Sequence, residues 1–320
     1  MIVTITPAPA IDWTIEVDSF AIGAVNRAVR SSREPSGKGV NISWALHRAH
    51  LATRAVFPAG GIGGLLMDQA LTRAGVDHVI VDTGCDVRIN ITMITPGNST
   101  KINEAGAAIS DEHVAQLRDA IIRASTDATA VLICGSLPVG VPAGFVRDMV
   151  DILQGPAAEV VVDSSGDPLV LALEARPDLI KPNVHELAEL TGLPITTLGD
   201  VVAAAQAARA MGAGAVLASL GPDGALLVDD EGVLHAYATD IPFVNSVGAG
   251  DALLAGFFGG GKTRHERLAM AVLWASSAVV QSTTLFPIRQ ELAERISIGE
   301  LTTPGRPLSE PSAALVRVDP

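Results

Sequence analysis

The sequence is poor in aromatic, cysteine and basic residues. Aromatic side chains make up 3% of its 320 residues, so aliphatic side chains must fill most of the core. Only Cys85 and Cys134 are present, without the spacing of metal ligands, which argues against a disulfide framework and a zinc site. Lysine and arginine number 22 against 35 aspartates and glutamates, and the formal net charge of −13 disfavours nucleic acid as a partner.

Long hydrophobic runs are also absent. No apolar stretch approaches the roughly 20 residues that a membrane-spanning helix needs, so we expect no membrane partner. Residues 1–6 have the pattern of a strand rather than of a signal peptide, which together with the scarcity of cysteine favours a cytoplasmic location. Hydrophobic residues nevertheless make up 48% of the chain, enough for the well-filled core of a globular protein.

Continuous apolar runs alternate with helix-like segments along most of the chain. Continuous rather than alternating apolarity is typical of strands buried on both faces of a parallel sheet. The pattern predicts an α/β fold, a doubly wound and mostly parallel sheet flanked by helices. The predicted strands include 130–134, 159–163, 179–181 and 215–219, and the predicted helices include 111–124, 142–153, 183–190 and 200–211.

Two stretches, 13–34 and 86–104, leave this pattern and show strand-like alternation. They predict a small discontinuous β-lid over the mouth of the sheet. The α/β domain then comprises residues 1–12, 35–85 and 105–301. Residues 302–320 are rich in proline, which predicts an irregular C-terminal tail with a short edge strand at 314–318.

The glycine-rich turn at residues 245–251 leads directly into an apolar helix-like run. Backbone N–H groups at a helix N-terminus favour negative charge, so Gly248, Ala249 and Gly250 predict an anion cradle. Asp251, in the first helical turn, is then placed to act as a general base toward a hydroxyl. Phosphoryl transfer to an alcohol needs both an anion site for the phosphate and a base for the hydroxyl group. The alternative is an ordinary loop with an aspartate near the helix cap.

A second glycine motif, at residues 256–263, matches the spacing of a P-loop. A P-loop must follow a strand and open a helix, whereas this motif follows a helix-like run and ends it in glycines. We therefore interpret Lys262 as a solvated loop lysine.

Other polar residues follow predicted strands or open predicted helices. Gly39 allows close approach of the backbone to a ligand, and Asn41 is placed to bond a hydroxyl. Ser136 follows a buried strand, at the end where doubly wound sheets bind ligands. Asp12 follows the first strand, where it either receives sugar hydroxyls or forms a turn.

Asn183 and Glu186 fall on one face at the start of a helix. Their oxygens suit the water shell of Mg²⁺, and they equally suit an N-x-x-E cap.

Among the scarce basic residues, Arg27 and Arg88 lie in the predicted lid, where guanidinium groups would close over a sugar phosphate. Each is alternatively a surface charge. Lesser candidates are Lys38 and Lys101.

Six motifs occur in the order found in the ribokinase/PfkB-like sugar kinases, which this sequence resembles from residue 4 to about residue 281. The nearest branch is that of the phosphosugar kinases, which comprises 1-phosphofructokinase, tagatose-6-phosphate kinase and the minor 6-phosphofructokinase. The motifs are GKGVN (37–41), GSLP (135–138), VDSSG (162–166), KPNVHE (181–186), SLG (219–221) and VGAGD (247–251). Asn245 departs from the aspartate of many ribokinases, which leaves a monovalent-cation site unassigned.

The resemblance implies a role for each motif residue. Asp251 is expected to be the base and residues 248–250 the anion hole, with Mg²⁺ held by Asn183 and Glu186 through water. The expected ATP contacts are Lys181, Asn183, Ser219, Gly221 and Gly224. With the lesser lysine candidates included, the expected substrate contacts are Asp12, Arg27, Lys38, Gly39, Asn41, Arg88, Asn90, Lys101 and Ser136.

We therefore predict an ATP- and Mg²⁺-dependent kinase that phosphorylates a ketohexose monophosphate: fructose 1-phosphate, fructose 6-phosphate or tagatose 6-phosphate. One alternative is a kinase for an unphosphorylated sugar or nucleoside, which depends on whether Arg27 and Arg88 converge on one anion. Another is a catalytically silent sugar-phosphate-binding protein. An apolar lid face bearing Ile91 and Met93, with Val29 and Ile89, predicts a homodimer through the β-lid.

Overall fold

The computed structural model describes residues 1–96, 98–155, 157–281 and 287–312. The β-strands are β1 (Ile2–Ile5), β2 (Ala10–Glu16), β3 (Arg30–Ser36), β4 (Thr53–Ala59), β5 (His78–Asp82), β6 (Arg88–Thr95), β7 (Asn98–Asn103), β8 (Ala130–Cys134), β9 (Glu159–Asp163), β10 (Leu179–Ile180), β11 (Ile195–Thr197), β12 (Ala215–Ser219), β13 (Ala225–Asp229), β14 (Gly232–Ala238), β15 (Ile296–Glu300) and β16 (Pro307–Ser312). The α-helices are α1 (Lys38–Arg48), α2 (Gly61–Ala74), α3 (Asp111–Ala124), α4 (Phe145–Leu153), α5 (Asp167–Ala172), α6 (Val184–Thr191), α7 (Leu198–Ala210), α8 (Ala249–Phe257) and α9 (Arg264–Val279). Short 3₁₀ helices lie at Leu173–Ala175, Gly221–Asp223 and Gln290–Arg295.

A large mixed sheet forms the centre of the molecule. Across the described residues its strand order is β15-β14-β13-β12-β10-β9-β8-β1-β4-β5. Strands β12 to β5 in that order are parallel, and β13 to β15 continue the sheet as antiparallel neighbours. After β1 the chain adds β4 and β5 on one side and then crosses to β8 on the other. The carboxyl ends of β1 and β8 therefore mark the switch point at which such sheets bind ligands.

Helices cover both faces of this sheet, as the continuous apolar strands predicted. In β8, Val131 and Ile133 join the core beneath α3, α4 and α7, whereas Leu132 joins the core beneath α1, α8 and α9. Successive side chains of a strand point to opposite faces, so every residue of a strand covered on both sides must be apolar. The predicted α/β fold is confirmed. No helix in the described ranges is long and apolar enough to cross a membrane.

A separate sheet of order β3-β2-β6-β7, counted over the described residues, is built from both stretches predicted to form the lid. Strands β2 and β6 pair in parallel, with Asp12 opposite Asn90 and Trp13 opposite Ile91. The lid strands begin at Ala10 and reach Ser36, somewhat beyond the predicted 13–34. Alternating register places Asp12 and Asn90 on one face of the lid and the apolar residues on the other.

The described part of the C-terminal segment is not irregular, contrary to the sequence-based expectation. Strand β16 pairs antiparallel with β11, and Leu308 packs against the main core. The carboxylate of Asp223 accepts a hydrogen bond of 2.7 Å from the backbone N–H of Ser309. These contacts order a proline-rich segment that has no strand pattern of its own. The edge strand expected at 314–318 lies outside the described residues.

Residues 256–263 do not have the context of a P-loop. Gly256 and Phe257 end α8, and Lys262 lies exposed in the turn before α9. Gly256 has a packing role instead: a Cβ there would approach the Met270 carbonyl oxygen to 2.5 Å and the Trp274 Cβ to 2.9 Å. The glycine therefore lets α8 and α9 touch backbone to backbone.

We expect Gly256→Ala to lower the free energy of unfolding by about 1–3 kcal/mol, the usual scale for overpacking a tight core. It should also reduce turnover, because α8 carries Asp251. Urea unfolding measures the first effect. Gly299→Ala is the matched control, since its Cβ would meet nothing within 4 Å. Equal stability of the two variants would contradict the close helix contact.

Candidate active site

The turn before α8 has the geometry expected of an anion cradle. Gly248 caps the helix with a φ of 78°, a left-handed conformation that favours glycine. Ala249, Gly250 and Asp251 form the first turn, in which N–H groups lack partners within the helix. The sequence-based placement of these residues at a helix N-terminus is therefore what the structure shows, while their role in transfer remains a proposal.

Asp251 is held by a residue from another motif. The Asn41 Nδ2 group, on α1, donates a hydrogen bond of 2.8 Å to Asp251 Oδ2. Burial, followed by the nearby carboxylate of Asp163, raises the pKa of Asp251 to about 6, while the Asn41 hydrogen bond partly opposes the shift. A carboxyl group with a pKa near 6 is ionised at neutral pH and a better proton acceptor than an ordinary aspartate.

Two lysines converge on Asp163, at the carboxyl end of β9. The Lys38 Nζ lies 2.8 Å from Asp163 Oδ1, and the Lys181 Nζ lies 3.4 Å from Oδ2. Asp163 is fully buried and Lys181 nearly so. Burial alone would lower the pKa of Lys38, but the charge and hydrogen bond of Asp163 outweigh it, so this pKa is raised. Lys38, predicted to contact substrate, is thus directed toward Asp163.

The lid contributes a second polar group to the cleft. Asp12 Oδ1 accepts a hydrogen bond of 3.1 Å from Asn90 Nδ2, and Asp12 Oδ2 accepts one of 2.7 Å from Ser36 Oγ. This fixes the orientation of the carboxylate on the lid. Sequence reasoning assigned no role to Ser36 or to Asp163. Only the sequence position of Asp163 at the end of a buried strand, inside the VDSSG motif, could have indicated it.

The remaining predicted substrate contacts are less closely grouped. Arg88 Nη2 donates a hydrogen bond of 3.1 Å to the carbonyl oxygen of Ala8. Arg88 also lines a cavity together with Pro138, which lies two residues after Ser136 in the sequence. Ser136 itself is exposed. Gly39 is buried. A Cβ there would lie 2.5 Å from the Thr6 Oγ1 atom, so the position requires glycine.

Arg27 does not approach Arg88 within one chain. Arg88 pairs in register with Ala10 at the base of β2, whereas Arg27 lies in the loop beyond Glu16 at the other end of that strand. Lys101, on β7, occupies the same lid face as Asn90 but is exposed. Of the two arginines expected to bind a substrate phosphate, Arg88 is the one that lines this cavity.

The predicted ATP contacts share one edge of the sheet. Lys181 follows β10, and Ser219 ends the neighbouring β12, where it bridges to Asn183. Gly221 and Gly224 flank the 3₁₀ turn after β12, with φ angles of 57° and 87°. At Gly224 a Cβ would also lie 2.1 Å from the carbonyl oxygen of Ala236. These glycines are thus required by the turn itself.

Asn183 and Glu186 form the predicted cap. The backbone N–H of Asn183 donates a hydrogen bond of 2.9 Å to Glu186 Oε2, and the backbone N–H of Glu186 donates one of 2.9 Å to Asn183 Oδ1. The Oε1 atom of Glu186 is not used in this cap. Within the described residues, no group of three or more histidine, cysteine or acidic side chains could hold a metal.

Several buried polar atoms around this cleft lack a hydrogen-bond partner among the described residues. They are Asn41 Oδ1, Arg88 Nε, Asn90 Oδ1 and Asp163 Oδ2. Unsatisfied buried polar atoms are rare in folded proteins and carry a free-energy cost. Three of these atoms belong to residues expected to contact substrate, and the fourth belongs to Asp163, which adjoins Lys38 and Lys181. Four such atoms in one cleft indicate a site built for a polar ligand.

A buried carboxylate beside a helix N-terminus, at the switch point of a doubly wound sheet, is the arrangement expected of a kinase that phosphorylates a hydroxyl group. The profile of the pfkB family carbohydrate kinases matches residues 2–289, and the chain belongs to this family. The 1-phosphofructokinase of Bacillus subtilis (strain 168) is 35% identical over 260 residues, 81% of this chain and 85% of that protein. The 1-phosphofructokinase of Haloferax volcanii is 34% identical over 308 residues, 95% of this chain and 99% of that protein.

Solved structures agree on the fold. Phosphofructokinase-2 from Escherichia coli in complex with substrates and products has a TM-score of 0.85 at 28% identity, and the match covers 92% of this chain and 98% of that one. The tetrameric inhibited form of the same enzyme has a TM-score of 0.82 at 28% identity, and the match covers 87% of this chain and 94% of that one.

We expect kcat/KM to rise with pH through about 6, because protonated Asp251 cannot accept a proton. Asn41→Ala removes a bond that lowers this pKa, so the acidic limb should move to higher pH. Asp251→Asn should abolish the limb and reduce kcat by about two orders of magnitude or more. Initial rates between pH 5 and about 8.5, measured for the wild type, Asn41→Ala and Asp251→Asn, test these expectations.

Asp251→Asn also has an expected effect on stability. The folded pKa lies above the ordinary 3.8, so the stabilising contribution of Asp251 is lost as pH rises from about 4 to about 6. The variant should therefore have a higher Tm than the wild type at pH 8 and a similar Tm at pH 4. In the kinetic experiment, a pH dependence of kcat/KM that does not shift in Asn41→Ala would contradict the assignment of Asp251 as the titrating group.

Proposed function

We propose that this protein transfers the γ-phosphate of ATP to a hydroxyl of a ketohexose monophosphate, with fructose 1-phosphate as the preferred acceptor. The observation that carries the proposal is the Asn41–Asp251 hydrogen bond, because it orients the carboxylate that we propose as the base, beside the glycine turn that we propose as the anion cradle. The preference for fructose 1-phosphate is supported by the names of relatives that are 35% and 34% identical, both 1-phosphofructokinases.

The acceptor sugar lies between the lid and the sheet in this proposal. The oriented carboxylate of Asp12 receives sugar hydroxyls, and the free Oδ1 atoms of Asn41 and Asn90 accept others. Arg88 binds the phosphate already on the sugar through its unpartnered Nε. Each of these atoms then gains the partner that it lacks in the free chain.

The transfer itself needs positioning and charge neutralisation more than covalent chemistry. The acceptor oxygen forms a bond to the γ-phosphorus as the bond to the β,γ-bridging oxygen breaks, and ADP leaves. The acceptor proton passes to Asp251, from which solvent removes it. The N–H groups of Gly250 and Asp251 face the phosphate oxygens in this arrangement, whereas that of Ala249 donates to the carbonyl oxygen of Ser246.

ATP occupies the edge formed by β10 and β12, against Lys181, Ser219 and the turn from Gly221 to Gly224. Glu186 would hold Mg²⁺ through the carboxylate oxygen that the cap does not use, with Asn183 orienting that carboxylate. The ion would supply charge neutralisation on the nucleotide phosphates. Free thiols at Cys85 and Cys134 support a cytoplasmic location for the reaction.

ADP release with fructose 1-phosphate, fructose 6-phosphate, tagatose 6-phosphate, fructose and ribose tests the proposal. We expect the highest kcat/KM with fructose 1-phosphate. Arg88→Ala should lose a charge-assisted bond worth roughly 1.5–3 kcal/mol and so raise KM for the phosphosugar about tenfold or more, with little change in KM for ATP. Arg118→Ala, an exposed arginine on α3, is the control. Highest activity with fructose or ribose, unaffected by Arg88→Ala, would favour an unphosphorylated acceptor.

The outer face of the lid supports a homodimer. Register places Trp13, Ile15, Ile91 and Met93 on the face opposite Asp12, and Ile102 of β7 adjoins Ile91. Ile102 is 56% exposed. Ile89, expected on this surface, instead packs against the core beneath the lid. A contiguous apolar face at the end of a small sheet is typical of a surface that a second copy covers.

Sedimentation at micromolar concentration should find a dimer for the wild type and a monomer for Ile91→Lys, because the new charge would be buried between the two lids. Ile122→Lys is the matched control, since Ile122 is 38% exposed on α3, away from the lid. A monomeric wild type, or an Ile91→Lys dimer, would contradict this interface.

A further inference from the structure

The C-terminal segment, residues 302–312, packs against the nucleotide turn, residues 221–224, where we propose that ATP binds. Strand β16 of this segment contacts the 3₁₀ helix of the turn. A Cβ added to Gly221 would lie 3.0 Å from Glu310 Oε2, so the segment directly borders this glycine. The match to the family profile ends at residue 289, so the segment lies outside the range that the profile covers.

The carboxylate of Asp223 joins the nucleotide turn to this segment. Its Oδ2 atom accepts a hydrogen bond of 2.7 Å from the backbone N–H of Ser309, which lies 86 residues farther along the chain. Its Oδ1 atom accepts hydrogen bonds of 3.3 Å from Ser309 Oγ and of 3.3 Å from Arg306 Nη2. Among the described residues, every hydrogen bond to this carboxylate therefore comes from the C-terminal segment.

The carboxylate of Asp223 depends on these donors because it is largely buried. Its side chain is 9% exposed, and a buried charge without partners carries a large free-energy cost. The guanidinium of Arg306 also offsets the negative charge. Without that offset, the carboxylate would repel the phosphates of a nucleotide bound at the same turn. The ion pair is thus suited to a turn that borders an anionic ligand.

The backbone of Asp223 connects the turn to strand β14. Its carbonyl oxygen accepts a hydrogen bond of 2.8 Å from His235 Nε2, and its N–H donates one of 3.2 Å to the carbonyl oxygen of Leu220. Burial lowers the pKa of His235 below its ordinary value of 6.5, so the ring is neutral at neutral pH. Because a carbonyl oxygen only accepts, the single ring hydrogen lies on Nε2. Asp223 therefore holds β14, the turn and the C-terminal segment in one network.

The glycines determine the shape of the turn, whereas Asp223 determines what the turn rests against. Gly221 and Gly224 adopt left-handed φ angles, and the N–H of Gly224 donates a hydrogen bond of 3.1 Å to the carbonyl oxygen of Gly221. That bond is local to four residues. The contacts of Asp223 instead reach two distant segments, and binding contacts keep their geometry only with support of this kind.

We propose that Asp223 is a positioning residue that fastens the nucleotide turn to the C-terminal segment, and that this segment is thereby part of the ATP site without contacting ATP. The inference rests on the proposed kinase function. It gives a role to Arg306 and Ser309, which no motif of the sequence indicated. Binding of ATP, rather than transfer of its phosphate, should depend on this fastening.

Steady-state kinetics of Asp223→Asn and Ser309→Pro test the fastening. Asp223→Asn removes the charge, and Ser309→Pro removes the N–H donor of the 2.7 Å bond. Each should raise KM for ATP about tenfold, the scale of one charge-assisted hydrogen bond, with kcat and KM for the phosphosugar within about twofold of the wild type. Asp230→Asn is the matched control, because Asp230 is a 96% exposed carboxylate beyond the other end of β13.

The double variant and calorimetry separate positioning from general stabilisation. If Asp223 acts through the C-terminal segment, the double variant should raise KM for ATP no more than the stronger single variant. Calorimetry with MgADP should show the same loss of affinity in variants whose Tm lies above the assay temperature. A Tm that falls while KM for ATP is unchanged would show a purely structural role and overturn the proposal. Losses that multiply in the double variant would also overturn it.

A milder change keeps the test available if these variants do not fold. Arg306→Met replaces a side chain that is 36% exposed, and it should raise KM for ATP about threefold through the loss of one hydrogen bond. An Arg306→Met enzyme with the wild-type KM for ATP and the wild-type affinity for MgADP would then count against the fastening.

The fastening and the kinase function fail in different ways. A wild type that releases no ADP with any sugar in the panel contradicts the proposed function. An active wild type whose variants keep the wild-type KM for ATP, or lose only affinity for the phosphosugar, contradicts the fastening alone.

Discussion

The parallel pairing of β1 with β8 on one side and β4 on the other brings the functional segments of this chain together. Parallel strands end at the same edge, so the residues that follow β1, β8, β9, β10 and β12 must meet there. Asp163 ends β9 and Lys181 follows β10 at this edge, whereas Asp12 lies within β2 of the lid. The helices α1 and α8 then begin at that edge and add Asn41 and Asp251.

The charges collected at this edge oppose the stability of the fold. The carboxylate of Asp163 raises the cost of ionising Asp251, and Asn41 and the two lysines partly offset that cost. The sheet and its helices can carry this burden because their apolar core is extensive on both faces. In the proposed complex, substrate and nucleotide supply the partners that these polar atoms lack.

The lid shows how one small sheet serves two surfaces. Its strands alternate, so the face with Asp12 and Asn90 closes the cleft while the face with Trp13 and Ile91 remains apolar. A change of register by one residue would exchange the two faces and abolish both uses. The substrate site and the proposed dimer interface therefore depend on the same strand register.

The sequence by itself determined the α/β fold, the two lid segments and the glycine turn at Asp251, because strand periodicity and helix N-termini are local patterns. It did not determine the roles of Ser36 and Asp163, the order in residues 307–312, or the separation of Arg27 from Arg88. Those depend on contacts between segments far apart in the chain. Only the tertiary structure decided that Lys38 faces Asp163, because the direction of a long side chain is set by the charges that folding places around it.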